Sequence, residues 1–430
     1  MKARLCCSAL ALLGLMCASL AYADEAEGNG IESPAWLRDA HIQATLRIDY
    51  FRPSKEVNNT RNFYVGTASI KALPVISDTL DGKLEARTTE LNVEHGGHTY
   101  NNVLEAYATL HFENADLRIG KQIVAWGRAD GINPTDNLTP RDLTLWLPFE
   151  DDQRFGTKAL KLDTYLNREL TLTTFVTPSF SPSRTPTPAG VSPIVTVLPT
   201  QTFSNTEVAL KLNKTGGDLD WSVSYLHGFS LVPTIQFPAA NSSVGGLELH
   251  YEKIDVLGAD VARNFGHYGV RGEFAYFHPR DTPDVNFSAI KPYFFFVVGG
   301  DRTFSDSLNI NLQFFGRRVE HFSTQGENMS PAQRKLSIQN AITQGQLDSV
   351  SRGISMRVNK KWLGDTLEGE VLAIVNLTRS NSFIRPLLTY AVNDRCKISV
   401  GAVLYNGAPL TLFGRLKANQ RGFVEMRFSP

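Results

Sequence analysis

Apolar and polar residues alternate along much of this chain with a period of two. Ile42, Ala44, Leu46, Ile48 and Tyr50 interleave with Gln43, Thr45, Arg47 and Asp49. Leu104, Ala106, Ala108, Leu110 and Phe112 interleave with Glu105, Tyr107, Thr109 and His111, and Thr206, Val208, Leu210 and Leu212 with Asn205, Glu207, Lys211 and Asn213. Leu308, Ile310, Leu312 and Phe314 face away from Asn309, Asn311, Gln313 and Arg317. Ile354, Met356, Val358 and Trp362 oppose Ser355, Arg357, Asn359 and Lys361, and Ile398, Val400, Ala402 and Leu404 oppose Lys397, Ser399 and Gly401. Successive side chains of a strand point to opposite faces, so each segment has one apolar and one polar face. A soluble sandwich alternates as well, but its strands average about five or six residues. Here the alternation is commonly sustained for about ten, the length of a strand that meets lipid on one side and water on the other.

The predicted spans are 41–52, 61–73, 82–95, 99–112, 115–125, 157–166, 169–178, 202–213 and 218–230, then 247–262, 267–278, 291–302, 306–320, 351–362, 366–378, 382–391, 396–405 and 420–428. Short turns (112–116, 167–169, 213–218, 304–307, 364–365, 392–395) alternate with long loops (125–156, 179–201, 231–246, 279–290, 321–350). Short periplasmic turns and long extracellular loops are the asymmetry of an outer-membrane barrel. The predicted fold is therefore all-β: a transmembrane antiparallel barrel of about eighteen strands, with sixteen as the alternative. At that width side chains do not fill the inside, and an aqueous channel is expected.

The first residues bear on compartment. Met1 to Arg4 is basic, Leu5 to Leu20 is apolar or small, and Ala21-Tyr22-Ala23 precedes Asp24. This is the pattern of a secretory signal, exported by the Sec route and cleaved after Ala23. The expected organisation is 1–23 signal peptide, 24–40 short periplasmic segment and 41–430 barrel. Of 43 basic and 43 acidic residues, only Lys2 and Arg4 leave with the signal, so the remainder is close to neutral. That excludes a nucleic-acid binder, which needs a basic face. Three of the four cysteines lie in the signal, leaving Cys396 alone and an intramolecular disulfide impossible. Residues 24–40 hold too little chain for the plug of an energy-coupled receptor.

Candidate chemistry concentrates in the loop that follows Arg118-Ile119-Gly120-Lys121-Gln122. It is rich in Gly, Pro, Asp and Arg, and Asn133-Pro134-Thr135-Asp136 has turn composition. Long loops without regular structure are usually functional or disordered, and Leu143, Leu145, Trp146, Leu147 and Phe149 favour a folded loop at the mouth. Arg128, Asp130, Asp136, Arg141, Asp142, Glu150, Asp151 and Asp152 are its candidate constriction residues. The competing reading is a solvated loop whose Asp and Arg side chains satisfy turn backbones. Candidate lumen residues are Arg47, Glu105, Glu207, Lys211, Arg317, Arg357 and Lys361, with Glu368 and Glu370; both signs occur, so no ion preference follows. In the other long loop, Ser330-Pro331 reads as an N-cap and first helical residue, followed at helical spacing by Leu336, Ile338, Ala341, Ile342 and Leu347. Enzymatic constellations are poor: the chain has no H-E-x-x-H, nucleophile elbow or phosphate loop. His95 and His98 alone do not make a metal site. No catalytic residue, cofactor or metal is expected.

Over Gly120-Lys121-Gln122, Trp126-Gly127 and Asn133-Pro134-Thr135-Asp136 the chain is similar to an uncharacterised proteobacterial outer-membrane family, and more broadly it resembles Gram-negative porin-like barrels. The resemblance implies an outer-membrane barrel and supplies no substrate; general porins also fold a long loop inward. Val424, Met426 and Phe428 resemble the last strand that the outer-membrane insertion machinery recognises, although Ser429 and Pro430 follow the aromatic. The expected protein is a porin-like channel for passive passage of polar solutes, surrounded by outer-membrane lipid, with a homo-oligomer open. Two alternatives stand: a barrel scaffold or export component partnering periplasmic proteins, lipid or polysaccharide, and an outer-membrane hydrolase.

Overall fold

The computed structural model describes residues 40–55, 62–92, 97–144, 151–185, 194–238, 246–280, 289–323 and 329–429. Residues 1–39, with the expected signal and most of the segment after it, lie outside the described residues. In chain order the strands begin with β1 (Gln43–Pro53), β2 (Phe63–Ala72), β3 (Val75–Ser77), β4 (Leu80–Asn92), β5 (His98–Phe112) and β6 (Ala115–Gln122). There follow β7 (Thr157–Tyr165), β8 (Leu170–Thr177), β9 (Ile194–Val197), β10 (Glu207–Lys214), β11 (Asp220–Phe229), β12 (Thr234–Gln236) and β13 (Leu247–His250). The chain continues through β14 (Lys253–Phe265), β15 (Tyr268–Pro279), β16 (Tyr293–Thr303), β17 (Asn309–Val319), helix α1 (Pro331–Thr343) and β18 (Val350–Trp362). It ends with β19 (Leu367–Asn376), β20 (Asn381–Ala391), β21 (Cys396–Asn406), the short helix α2 (Leu412–Arg415) and β22 (Arg421–Phe428).

Eighteen of these strands form one closed antiparallel barrel, with β3 as a short extra pairing on β4. Closure is made by β22 on β1, with Ile48 opposite Met426 and Phe51 opposite Phe423. Each predicted span holds one barrel strand, with two internal revisions. In 202–213 the residues Phe203–Asn205 form a helical turn ahead of β10. Residues 247–262 read as a single strand, but β13 leaves the wall and joins β9 and β12 in a separate three-stranded sheet, and the barrel strand begins at Lys253. Alternation is the same in any strand and does not say which sheet it enters.

The barrel inverts the usual distribution of polarity. Ile48 is 61% exposed and Leu312 52%, whereas Asp49 is 0% and Glu425 2%. Apolar side chains on the outer face have no protein to cover them, and carboxylates and guanidiniums on the inner face cover one another. Arginine at Leu312 is expected to cost about 2–4 kcal/mol in a bilayer, as charge does on a lipid face, while Lys361→Arg on the inner face costs little. Urea unfolding of vesicle-inserted protein measures both; equal costs would mean that the two faces are misassigned.

One strand breaks the simple alternation. Glu85 lies opposite Glu105, but the next residue, Ala86, lies opposite Val103. Leu104 is the surplus residue of a β-bulge, which sets two residues against one and reverses the register beyond it. Leu104 is therefore buried inside, and Val103 takes the exposed position, contrary to the outward placement read from the sequence. The inner face is also not uniformly charged. Along the line of Asp49 and Glu425 it turns aromatic toward the long-loop end, where Phe51, Phe63 and Phe423 cluster with Val65 and Val403.

Short turns at 113–114, 266–267 and 363–366 lie at the end where β1 starts and β22 finishes, and the loops after β6, β8, β11, β15 and β17 lie at the other. There α1 forms as its sequence predicts. Ser330 Oγ accepts from Gln333 N while the Gln333 side chain accepts from Ser330 N, a capping box that satisfies two free donors. Asn340 fastens the helix to β12, accepting from Ile235 N and donating to Ile235 O, each at 2.8 Å.

Candidate functional site

The chain departs from the wall at the end of β6 through a tightly fastened stem. Ile123 N donates to Glu105 Oε1 at 2.9 Å. Val124 N donates to Thr139 Oγ1 at 2.8 Å, and that hydroxyl donates back to Val124 O at 2.5 Å. At the returning end, Gly156 N donates to Leu104 O at 2.9 Å, so the bulge in β5 supplies the acceptor for the loop. Backbone groups that would lack partners in an inserted loop are thus satisfied.

Between these stems the loop carries its own apolar face. Val124, Trp126 and Leu138 pack with Ala159, Phe175, Ala209, Leu226, Ile254, Val256 and Phe277 of the wall. Full burial of such a side chain contributes roughly 1.5–3 kcal/mol, which favours a docked loop over a solvated one. Of the residues singled out in the sequence for this purpose, Leu143 is 42% exposed, and Leu145, Trp146, Leu147 and Phe149 lie outside the described residues.

Polar anchors fix where the loop goes. Glu273 of β15 accepts from Arg128 N, from Ala129 N at 2.5 Å, from Thr135 Oγ1 at 3.1 Å and from Asn133 Nδ2 at 3.3 Å. The Arg128 side chain bonds Asp260 of β14 at 2.5 Å and Asn213 of β10 at 2.8 Å. Asp130 reaches Arg357 of β18 at 2.8 Å, and with the Gln313 amide turned to match, Gln313 of β17 bonds both backbone groups of Asp130. Near the far end, Asp152 accepts from Arg47 of β1 at 2.5 Å, and Arg87 of β4 donates to its carbonyl at 2.6 Å. Strands on opposite arcs share only their inward faces, so a loop that meets them all runs through the interior.

The remaining sequence candidates fall into place differently. Asp136 is buried between Arg141 at 3.0 Å and Arg154 at 2.6 Å, and Asp142 accepts from Arg184 at 3.0 Å and Thr144 N at 3.0 Å. These acids hold the loop together, each paired with guanidinium groups. Glu150 lies outside the described residues; Asp151 begins a short helical turn, and its side chain is likewise outside. On the wall, Glu105 pairs with Lys83, Glu207 accepts from Phe229 N at 2.9 Å, and Lys211 stands 3.6 Å from Asp260. Arg357 and Arg385 share Glu370 at 2.9 and 2.8 Å, Lys361 lies opposite Glu368, and Arg317 donates to Gln344 O.

Sequence reasoning missed Glu273, Asp260 and Gln313, the wall groups that receive the loop, and Thr139, which fastens its stem. The available signal was a carboxylate at an inward position of a strand, a costly placement without a partner. On its β6–β10 side the loop borders a cavity of about 420 Å³ lined by Arg118, Arg128, Lys161, Asp163 and Lys211 among others. Lys161 pairs with Asp163, and Arg128 and Lys211 share Asp260. Arg118 pairs with no carboxylate among the described residues and lies over Tyr107 at 4.3 Å. Its cations outnumber its acids.

In fold the barrel resembles those of solved outer-membrane proteins. It is similar to OccK1 (OpdK) of Pseudomonas aeruginosa, with a TM-score of 0.56 at 11% identity over 92% of this chain and 100% of that one. OccK11 (OpdR) of the same organism gives 0.54 at 11% over 94% and 98%, and OccAB4 of Acinetobacter baumannii 0.54 at 10% over 90% and 97%. At such identities the likeness is one of fold. By sequence, residues 31–421 match the family described as "Protein of unknown function (DUF1302)", and the chain belongs to that family. A search of curated proteins found no match.

Proposed function

We propose that this protein is an outer-membrane channel for passive diffusion of solutes, in which the loop spanning 123–156 forms the narrowest section. The observation that carries the reading is the set of bonds by which one loop reaches β15, β18 and β1 across the interior. A wall of eighteen strands encloses an aqueous channel unless something crosses it, and charge fixed at a crossing acts strongly on ions because low-dielectric walls focus its field. In this reading Arg128, Asp130 and Asp152 tie the crossing to the wall, Asp136, Arg141 and Asp142 stiffen it, and Arg118, Lys161 and Lys211 line the approach from the short-turn side. That end is periplasmic, and α1 and the side sheet face outward. Passage of this kind needs no cofactor and no covalent step; width and field do the selecting.

Planar-bilayer recording of the purified protein tests the proposal. Replacing residues 129–150 by a short Gly-Ser linker is expected to raise single-channel conductance by roughly a factor of two or more, since the resistance lies in the narrowest section. A correctly folded barrel that conducts nothing in either form would instead favour a scaffold or export component.

A further inference from the structure

On the long-loop side of the inserted segment is a second cavity, of about 360 Å³, whose lining differs from the charged one. Phe229, Ile254, Phe277 and Tyr293 present apolar surface from the wall, and Val232 and Ile342 of α1 border it from the loops. Two guanidiniums stand at its edge. Arg141 pairs with Asp136 at 3.0 Å. Arg317 lies over the rings of Tyr293 and Phe295 at 4.6 and 4.7 Å, donates to Gln344 O, and pairs with no carboxylate among the described residues.

This combination selects a chemical class. A small hydrated anion would match Arg317 but would lose water against the aromatic wall without compensation, and a neutral apolar molecule would cover the wall and leave the guanidinium without a counter-charge. Both surfaces are satisfied together by an apolar body that carries a carboxylate, since guanidinium–carboxylate bonds are among the strong ones. The volume lies within the range of roughly 300–1,000 Å³ typical of small-molecule sites. Building on the channel reading, we propose that this cavity is a binding site for organic anions with a bulky apolar body, the carboxylate against Arg317 and the body against Phe229, Phe277 and Tyr293. A solute arriving from the α1 side would rest there before the narrow section.

The test uses the full mature protein in planar bilayers, with 2-naphthoate as the probe and acetate as the anion without a body. 2-Naphthoate is expected to interrupt the chloride current at concentrations about tenfold lower from the α1 side than from the other, and acetate to do so from neither. Arg317→Met, which keeps an apolar stem on Tyr293 and removes the charge, is expected to weaken the block about tenfold, the scale of one charged hydrogen bond. Val232→Trp, which fills the cavity and leaves both guanidiniums, is expected to abolish it. Equal block by acetate, equal block from both sides, or a block indifferent to both substitutions would overturn the site. If the protein carries no current, the channel reading fails, and the site is judged by equilibrium binding of 2-naphthoate, followed by its fluorescence, to protein in lipid nanodiscs. There the wild type must bind more tightly than both variants, or the site is wrong.

Discussion

If the proposed channel reading holds, protein carrying Glu273→Ala is expected to conduct more than the parent and to expose the loop to added protease, although residue 273 lies on the wall and outside the loop. Its buried carboxylate, 3% exposed, accepts from Arg128 N, Ala129 N, Asn133 Nδ2 and Thr135 Oγ1. Alanine would strand these four donors together, and each buried donor left without a partner costs roughly 1–3 kcal/mol, so the four together cost more than one alone. That exceeds what any one docked side chain of the loop contributes. Glu273→Gln keeps an acceptor and should fall between the two. Single-channel recording and limited proteolysis in vesicles read the outcome; parent-like conductance and protection in the alanine variant would assign the fastening to the other anchors, among them Arg128, Asp130 and Asp152.

The second large effect is on assembly. Gly120 has φ of +134°, and a Cβ there would lie 2.3 Å from Ala106 O and 2.7 Å from Tyr107 Cα, backbone atoms of the neighbouring strand that cannot give way. Gly120→Val is expected to prevent accumulation of the folded barrel in the outer membrane, read as loss of the heat-modifiable band on gels. Gly131 is the control. Its φ of +78° also favours glycine, but nothing lies within 4 Å of an added Cβ, so Gly131→Ala should cost only the roughly 1–2 kcal/mol of a left-handed residue. Comparable accumulation of both variants would show that β5 and β6 do not approach as closely as described.

Much of the wall was legible because a membrane punishes the wrong face at every second residue. Span 306–320 holds β17 (Asn309–Val319) and span 382–391 holds β20 almost residue for residue. What escaped was whatever alternation does not encode. Leu104 has the character of a lipid-facing residue, and only its partner strand, one residue short at Glu85 and Ala86, turns it inward. Phe51 and Phe423 follow Asp49 and Glu425 on the same face, so the change from charged to aromatic lining was present in the sequence, but a polar interior had been assumed. The site was half legible. The loop and its Arg128, Asp130 and Asp152 stood out by length and composition, whereas Glu273 and Asp260 sit on strands more than a hundred residues away and become partners only when the barrel closes.

That closure draws on the loop. At the seam, Arg47 lies opposite Arg427 and Asp49 opposite Glu425, like charges face to face, a destabilising arrangement between paired strands. Relief comes along β1 from Asp49 at 3.4 Å from Arg47, diagonally from Glu425 at 3.8 Å, and from the loop, whose Asp152 meets Arg47 at 2.5 Å. The first and last strands of the barrel therefore join most favourably once a segment from the middle of the chain is already in place between them. Without the loop the seam would keep its like-charged pairs and lose the Asp152 carboxylate that meets Arg47, so a segment from the middle of the chain helps to hold its two ends together.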